Sequence, residues 1–303
     1  MIHEIDPKKY NPDYIKRKIC SEDYLLNYEN DGILVKRERG IISLPRCSDY
    51  QEICGFAYRG IINSAYYLFE ISGDFFYEAT GLPQKIKDDL VFYRKLDELP
   101  GEEEGSERDF FYLRIHRFRE LDPVDMVFAG ATGYHIRNWR QTVMHCGCCG
   151  AITRPSETER AFVCTECGYT AYPKIAPAVI TAIINHDKIL LVKNKHRPKN
   201  VRLELVSGYV EIGESFEQAV HREVLEEVGL KVKNVRYYKD QPWGISGAHM
   251  IGFVAEVDGD DTVLKQEDEI SEADWYSREE IPEYRNRLSV GSEMILMFKE
   301  GKL

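Results

Sequence analysis

The apolar positions in the second half of the chain alternate between two spacings. Short, nearly continuous apolar runs predict strands at 178–185, 188–192, 230–238 and 250–257. Apolar residues three and four apart predict a helix over 215–228, with Ser215 as its N-cap and Gly229 just after its end. A second helix is predicted over 293–299, with Ser292 as its N-cap. This alternation predicts an α/β domain with a mixed sheet.

The first part of the chain has a different pattern, in which aromatic residues stand within short apolar runs. It predicts short strands and helices around a modest core, including a strand over 113–118. Residues 124–142 have apolar positions at helical spacing and predict a helix. The acidic, apolar-poor stretch 97–109 predicts an exposed loop.

Length and charge limit the function classes. At about 150 residues per domain, 303 residues suggest two domains. The chain has 40 Lys and Arg against 51 Asp and Glu, a net charge of −11, which disfavours binding to polyanions such as duplex DNA. Apolar runs fall short of the roughly 18 residues that cross a bilayer, and the first residues lack a signal-peptide pattern. We therefore expect a cytoplasmic protein without membrane contact.

Four of the 8 cysteines form two C-x-x-C pairs, namely Cys146, Cys149, Cys164 and Cys167. Two such pairs can complete a tetrahedral thiolate shell, which predicts one structural Zn²⁺ in a zinc ribbon. Cys148 lies inside the first pair and is expected to be a bystander. Redox-active pairs or buried free thiols are the alternatives.

A glutamate-rich stretch follows the cysteines. Glu223, Glu226 and Glu227 are three and four residues apart, so a helix places these like charges side by side, where they repel. Divalent cations with a preference for oxygen ligands, Mg²⁺ or Mn²⁺, would neutralise them. Arg222 can pair with a glutamate and orient it. The apolar face expected to pack on the sheet consists of Phe216, Ala219, Val220 and Val224.

The stretch GYVEIGESFEQAVHREVLEEVGL matches the Nudix pattern G-x5-E-x7-R-E-U-x-E-E-x-G-U, where U is apolar. The fixed positions are Gly208, Glu214, Arg222, Glu223, Glu226, Glu227 and Gly229. With the cysteine pairs and YPKIAP before it, the chain resembles the NADH pyrophosphatase branch of the Nudix hydrolases, also known as NAD⁺ diphosphatases and as removers of NAD caps from RNA. The resemblance covers residues 129–303. It implies a divergent α+β N-terminal domain at 1–142, a zinc ribbon at 143–172 and a Nudix α/β/α sandwich with a mixed sheet at 173–303.

The resemblance also implies roles for individual residues. The metal ligands would be Ser207, through its carbonyl, Glu223, Glu226, Glu227 and Glu269, with Glu272 as the alternative to Glu269. Arg222 joins the three helix glutamates as a catalytic residue. The segment DQPWGISGA keeps the Gln-Pro-Trp of the family signature SQPWPFPxS but not its flanks. Substrate contacts are expected from Tyr172, Tyr209, Gln241, Pro242, Trp243, Gly244, Ile245, Ser246, Gly247, Ala248 and Gly291.

The implied activity is hydrolysis of the pyrophosphate bond of NAD(H) to NMN(H) and AMP, with two to three Mg²⁺ or Mn²⁺ ions. The same cut would remove an NAD cap from RNA, and the resemblance implies a homodimer. Two alternatives stay open. One is a Nudix hydrolase of another nucleoside diphosphate derivative, such as ADP-ribose. The other is a zinc-ribbon protein that binds nucleic acid and carries an idle Nudix fold.

Overall fold

The computed structural model describes residues 1–99, 108–195, 203–282 and 288–303. The chain divides into two compact units. The N-terminal unit comprises Ile2–Lys174 and Gly244–Ser246, and the C-terminal unit comprises Met1, Ile175–Trp243 and Gly247–Leu303. The three-domain division expected from the sequence stays a prediction.

The N-terminal unit mixes short strands and helices, as the aromatic-rich pattern predicts. Its helices are α1 (Tyr50–Cys54), α2 (Tyr58–Asn63), α3 (Gln84–Asp89), α4 (Ile115–Phe118) and α5 (Val124–Thr142). Its strands are β1 (Tyr10–Asn11), β2 (Tyr24–Leu26), β3 (Tyr28–Glu29), β4 (Gly32–Glu38), β5 (Ile41–Ser43), β6 (Tyr66–Ile71), β7 (Asp74–Glu78), β8 (Phe92–Tyr93), β9 (Arg108–Arg114), β10 (Thr153–Pro155), β11 (Phe162–Cys164) and β12 (Thr170–Ala171). They form sheets in the orders β1-β6-β7-β2, β3-β4-β9-β8 with β5 beside β4, and β10-β11-β12.

Three predictions for this unit have different outcomes. The helix predicted over 124–142 is confirmed as α5. The strand predicted over 113–118 is wrong from Ile115 onward, where α4 begins, because Ile115 and Phe118 are both buried at helical spacing. Of the acidic stretch 97–109, residues 100–107 lie outside the described residues, and its last two residues begin β9.

The C-terminal unit is a mixed sheet with a helix on each face. Its strands are β13 (Ala176–Asn185), β14 (Lys188–Asn194), β15 (Val206–Tyr209), β16 (Val232–Trp243), β17 (Ala248–Val257) and β18 (Ile270–Ser277), and its helices are α6 (Phe216–Val228) and α7 (Val290–Lys299). The strand order is β16-β17-β13-β14-β18, with β15 paired to β13. The pair β13–β17 is parallel and the other pairs are antiparallel, so the predicted mixed sheet is confirmed.

Each helix packs through one apolar face. Ala219, Val220 and Val224 of α6 are fully buried against one side of the sheet, as predicted. Phe216 is not: its side chain is 45% exposed, because it is the first residue of α6 and the packed positions begin one turn later. On the other side of the sheet, α7 buries Val290, Met294, Ile295 and Phe298.

The terminal helix begins earlier than the sequence predicts. It starts at Val290, and its N-cap is Ser289 rather than Ser292. Ser289 Oγ accepts the N–H of Ser292 at 3.2 Å, and Ser292 Oγ accepts the N–H of Ser289 at 3.1 Å. The two serines form a reciprocal cap, so Ser292 takes the third helical position. Across the described residues, we find no helix whose length and apolarity suit a membrane span.

Candidate active site

The glutamate helix has a cap at each end, which fixes the register of its side chains. Ser215 Oγ accepts the N–H of Gln218 at 3.2 Å, and Gln218 Oε1 accepts the N–H of Ser215 at 2.8 Å. At the other end, Gly229 adopts φ 72°, a left-handed conformation that favours glycine. The caps at Ser215 and Gly229 are therefore confirmed.

The three helix glutamates differ in burial. Glu226 is exposed, Glu223 is half-buried and Glu227 is only 7% exposed. The carboxyl group of Glu223 lies against Gly208 on β15, where a Cβ would come within 2.0 Å of it. Any side chain at position 208 would force this carboxylate out of its observed position, which gives a physical reason for the first glycine of the motif.

Arg222 is the cation that contacts the helix carboxylates. Its guanidinium binds Glu214 through two parallel bonds of 2.9 Å, from Nε and from Nη2. Its Nη1 also donates to Glu223 at 2.8 Å and to Glu226 at 3.1 Å. In addition, Nη2 donates to the carbonyl of Tyr209 at 2.9 Å. One side chain thus links three carboxylates to the end of β15.

The surroundings of Glu227 disfavour its ionised form. Burial, with the neighbouring charges of Glu223 and Glu269, raises the pKa of Glu227 to about 8. Burial also raises the pKa of Glu223, although Arg222 opposes the shift. In contrast, the hydrogen bond from Arg222 lowers the pKa of Glu214. An excess of crowded carboxylate oxygens fits a bound divalent cation with hard oxygen ligands.

The loop carboxylates are distinguished by their contacts. Glu269 is exposed and acts on Glu227 through its charge. Glu272 pairs with Lys193 at 3.2 Å. These contacts favour Glu269 over Glu272 as a neighbour of the glutamate cluster. Glu204 also raises the pKa of Glu227 and was not among the residues inferred from the sequence; its signal is an acidic residue within the apolar run just before Gly208.

The residues expected to contact substrate differ in how far their side chains are exposed. Tyr209 is 55% exposed at the end of β15, beside the carbonyl contact to Arg222. Gln241 is fully buried, and both ends of its amide bind backbone groups of the segment leading into α7. Pro242 is exposed and Trp243 is half-buried. Gln241 therefore presents no free side-chain surface to a ligand, whereas Tyr209 does.

The rest of the expected substrate segment continues into a turn. Gly244–Ser246 group with the N-terminal unit, where a Cβ on Gly244 would lie 2.4 Å from the carbonyl oxygen of Ala131. Ile245 is buried and Ser246 exposed. Gly247, with φ 77°, closes the turn back into β17, where Ala248 is buried.

Two further expected contacts lie elsewhere. Tyr172 belongs to the N-terminal unit, where its exposed hydroxyl donates to Glu159 at 3.2 Å. Gly291 is buried in the first turn of α7, and a Cβ there would lie 2.7 Å from Cδ1 of Ile180. Ser207 lies beside Gly208 on β15, and its backbone N–H bonds to Glu227.

The two cysteine pairs converge in the N-terminal unit. The sulfurs of Cys146, Cys149, Cys164 and Cys167 all lie within 4.8 Å of one another, and no other group of three or more Cys, His, Asp or Glu side chains does so among the described residues. The N–H of Cys148 donates to Cys146 Sγ at 3.4 Å, while its own exposed thiol stands outside the group. The N–H groups of Cys167 and Glu166 donate to Cys164 Sγ and lower the pKa of that thiol to about 6. This arrangement fits one tetrahedral Zn²⁺.

Residues 174–294 match the sequence profile described as the NUDIX domain. A protein named NAD-capped RNA hydrolase NudC from Haemophilus influenzae (strain PittGG) is 38% identical over 188 residues, which cover 61% of this chain and 70% of that protein. A protein of the same name from Mannheimia succiniciproducens is 40% identical over 195 residues, 62% of this chain and 69% of that protein. This chain belongs to the NudC family of Nudix hydrolases. A third NudC protein, from Shigella boydii serotype 18, is 42% identical over 168 residues, 55% of this chain and 64% of that protein.

Membership of the NudC family confirms the resemblance inferred from the Nudix motif and the cysteine pairs. The chain is a Nudix hydrolase with a mixed α/β fold and a four-cysteine cluster suited to zinc. Nudix hydrolases depend on divalent cations, and the glutamates of α6 supply oxygen ligands of the required kind.

Proposed function

We propose that the protein hydrolyses the pyrophosphate bond of NAD(H), releasing NMN(H) and AMP, and that the same cut removes NAD caps from RNA. The observation that carries this proposal is the carboxylate cluster at the end of β15, the strand whose last residue is Tyr209. Glu227 is buried with a raised pKa, Glu223 is fitted against Gly208, and an exposed aromatic ring ends the same strand. The names of the NudC relatives support the choice of NAD as substrate.

We assign the Mg²⁺ or Mn²⁺ ligands to Glu223, Glu226, Glu227, Glu269 and the carbonyl of Ser207. Two to three such ions, when bound, would neutralise the carboxylates and the pyrophosphate and stabilise the negative charge of the departing phosphate. Arg222 keeps its charge and orients Glu214, Glu223 and Glu226 through the bonds described above. Its role is to hold the acidic side chains in one arrangement.

Glu227 is the carboxylate best suited to accept a proton from the attacking water. Without bound cations, burial raises the pKa of Glu227, so the ionised carboxylate has a strong tendency to take up a proton. Its burial also keeps bulk water away from the carboxylate.

Tyr209 is the candidate for recognition of the nicotinamide ring. A flat ring stacks well on an exposed phenol ring, and the half-buried indole of Trp243 offers a second aromatic surface. The Arg222 bond to the carbonyl of Tyr209 joins the backbone of this residue to the glutamate helix. Tyr172, Pro242, the segment 244–248 and Gly291 remain proposed substrate contacts.

One observation favours a second substrate. The residues after Trp243 are Gly244, Ile245 and Ser246, where the family signature has Pro-Phe-Pro. This change alters the turn that follows β16, and it favours ADP-ribose or another nucleoside diphosphate derivative as the second candidate substrate. Binding of nucleic acid without catalysis is the weakest alternative, because all of the motif carboxylates are present.

The test is product analysis with four substrates, each supplied with Mn²⁺. Purified protein is incubated with NADH, NAD⁺, ADP-ribose or an NAD-capped RNA, and the products are identified by mass spectrometry. We expect NMNH and AMP from NADH and a 5′-monophosphate end on the RNA. Rapid cleavage of ADP-ribose, with NADH and capped RNA left intact, would contradict the proposal. RNA binding without any hydrolysis would support the idle-fold alternative.

The proposal also covers the oligomeric state of the protein and its location in the cell. We propose a homodimer, as the family resemblance implies, in the cytoplasm. Light scattering of the purified protein measures the mass directly, and one chain has a mass of 35.2 kDa. A particle with the mass of one chain across a range of concentrations would contradict the dimer.

A further inference from the structure

Gln241 lies at one end of a row of residues that crosses the sheet of the C-terminal unit. It is paired with Met250, Met250 with Ala178, and Ala178 with Tyr209. Paired residues on neighbouring strands project to the same face of a sheet. Gln241 and Tyr209 therefore share one face, three strand spacings or about 14 Å apart.

Both polar atoms of the Gln241 side-chain amide form hydrogen bonds with the backbone at the start of α7. Its Oε1 accepts the N–H of Val290 at 2.9 Å, and its Nε2 donates to the carbonyl of Leu288 at 2.9 Å. The residue is 0% exposed. The first N–H groups of a helix have no partner within the helix. The Oε1 of Gln241 supplies an acceptor for one of them, the N–H of Val290.

Neighbouring residues strengthen the same attachment. Tyr238 Oη and Lys239 Nζ both donate to Glu293 Oε1, at 2.9 and 2.7 Å. Glu293 lies in the first turn of α7 and is buried. On β17, Gly252 lets the helix approach closely, since a Cβ there would lie 3.0 Å from Val290. The start of α7 is thus fixed to the strand that carries Gln241.

The same helical turn carries Gly291. A Cβ on Gly291 would lie 2.7 Å from Cδ1 of Ile180, so the helix backbone touches β13 directly. Ile180 is two residues beyond Ala178 and projects to the same face, which is also the face of Tyr209. A shift of the first turn of α7 would therefore change the space between Gly291 and Tyr209.

We propose that Gln241 is a positioning residue for ring recognition: it fixes Gly291 relative to Tyr209 without touching the substrate. This inference rests on the proposed function, because it takes the nicotinamide ring to lie against Tyr209. It replaces the expectation that the Gln241 side chain contacts the substrate. A substrate without a nicotinamide ring, such as ADP-ribose, is insensitive to this positioning.

The test variant is Gln241→Met, which keeps the side-chain length and removes both hydrogen bonds. We expect the KM for NADH to rise about tenfold, because the first turn of α7 loses its attachment and Gly291 moves relative to Tyr209. The kcat for NADH and both constants for ADP-ribose should change by less than about twofold. Amide hydrogen exchange should quicken at Val290 and Glu293, because the first turn of α7 loses its attachment.

The matched control is Phe298→Leu, which weakens the packing of α7 at its other end. It should lower the melting temperature and leave the KM for NADH unchanged. If Gln241→Met does not fold, Tyr238→Phe removes one hydrogen bond of the same attachment, from Tyr238 Oη to Glu293, and a smaller rise in KM is expected.

Two results would overturn the inference. One is a raised KM for NADH with unchanged amide exchange at the start of α7, which would mean direct contact with the substrate. The other is an equal loss of activity on NADH and ADP-ribose, which would mean a general defect. Failure of the proposed function looks different, because the wild-type protein would then leave NADH uncut. The exchange measurement still reports whether Gln241 holds α7 in that case, and unchanged exchange would refute the attachment.

Discussion

The cysteine cluster and the glutamate cluster differ in how their charges are balanced. The four sulfurs meet within 4.8 Å, and backbone N–H groups of their own turns donate to them. The glutamates lie along one helix, where Arg222 contacts some of the carboxylates, while Glu227 stays buried with a pKa raised to about 8. The cysteine cluster is a closed shell for a single Zn²⁺, whereas the glutamate cluster crowds several carboxylate oxygens together, where a divalent cation would favour the ionised form of Glu227.

The two clusters therefore have different roles: the cysteine cluster stabilises the fold, and the glutamate cluster binds the cations used in catalysis. A closed four-cysteine shell leaves no coordination position for a substrate, so zinc there stabilises the fold. The ribbon packs on its own unit, with Phe162 against Trp139 at 5.6 Å between ring centroids and with Arg160 donating to the carbonyl of Pro12 at 3.0 Å. Clustered carboxylates, in contrast, bind divalent cations that also coordinate the phosphates of a substrate.

The largest expected effect is loss of zinc. Cys164→Ser removes one ligand, and structural zinc contributes on the order of 10 kcal/mol in small zinc domains. We expect metal analysis to show a fall from about one zinc per chain to near zero, with fast amide exchange across the ribbon. The control is Cys148→Ser, whose exposed thiol lies outside the cluster and which should keep its zinc. Full zinc content in Cys164→Ser would contradict the four-cysteine assignment.

The next largest effect is on turnover. Glu227→Gln removes a metal ligand and the proposed proton acceptor, and we expect kcat for NADH to fall about 100-fold or more. The circular dichroism spectrum and zinc content should match those of the wild type. Glu217→Gln, an exposed change on the same helix, is the control and should retain activity within about twofold. Near-normal turnover in Glu227→Gln would remove this residue from the mechanism.

A smaller loss is expected from Arg222→Lys, which keeps the charge but not the fork that binds Glu214. A hydrogen bond between charged groups contributes about 1.5–3 kcal/mol, so kcat/KM should fall roughly tenfold to hundredfold. Arg236→Lys, on the exposed side of β16, is the control and should match the wild type. Equal activity of both variants would show that charge alone, without the fork, orients the glutamates.

The smallest expected effect is a pH dependence of stability without added Mg²⁺ or Mn²⁺. The pKa of Glu227 is higher in the folded protein, about 8, than its ordinary 4.5, so its contribution is present below pH 4.5 and is lost as the pH rises through 8. Between these pH values, we expect the free energy of unfolding of the wild type to fall by about 1–3 kcal/mol relative to Glu227→Gln. Denaturant titration at several pH values measures this difference. Parallel pH profiles would show that burial and neighbouring charges do not raise the pKa of Glu227.

The sequence predicts the two clusters because each depends on close spacing. The cysteine pairs and the caps of α6 are local patterns, and their geometry follows from turns and helical periodicity. The burial of Gln241 could not be predicted, because its partners Leu288 and Val290 are more than forty residues away in the chain. Helical spacing also predicts that Phe216 faces the sheet, but Phe216 is exposed. The spacing alone does not show which turn of the helix first contacts the sheet.

The central claim is that zinc at the cysteine cluster is structural and that catalysis depends on cations at the glutamate cluster. The most direct test of this claim is NADH turnover by zinc-loaded protein with and without Mn²⁺. The protein is freed of loosely bound cations, zinc content is verified at about one ion per chain, and NMNH release is followed before and after Mn²⁺ addition. We predict no detectable turnover before the addition and rapid release of NMNH and AMP after it. Equal turnover in both states would contradict the assignment of catalysis to the glutamate cluster.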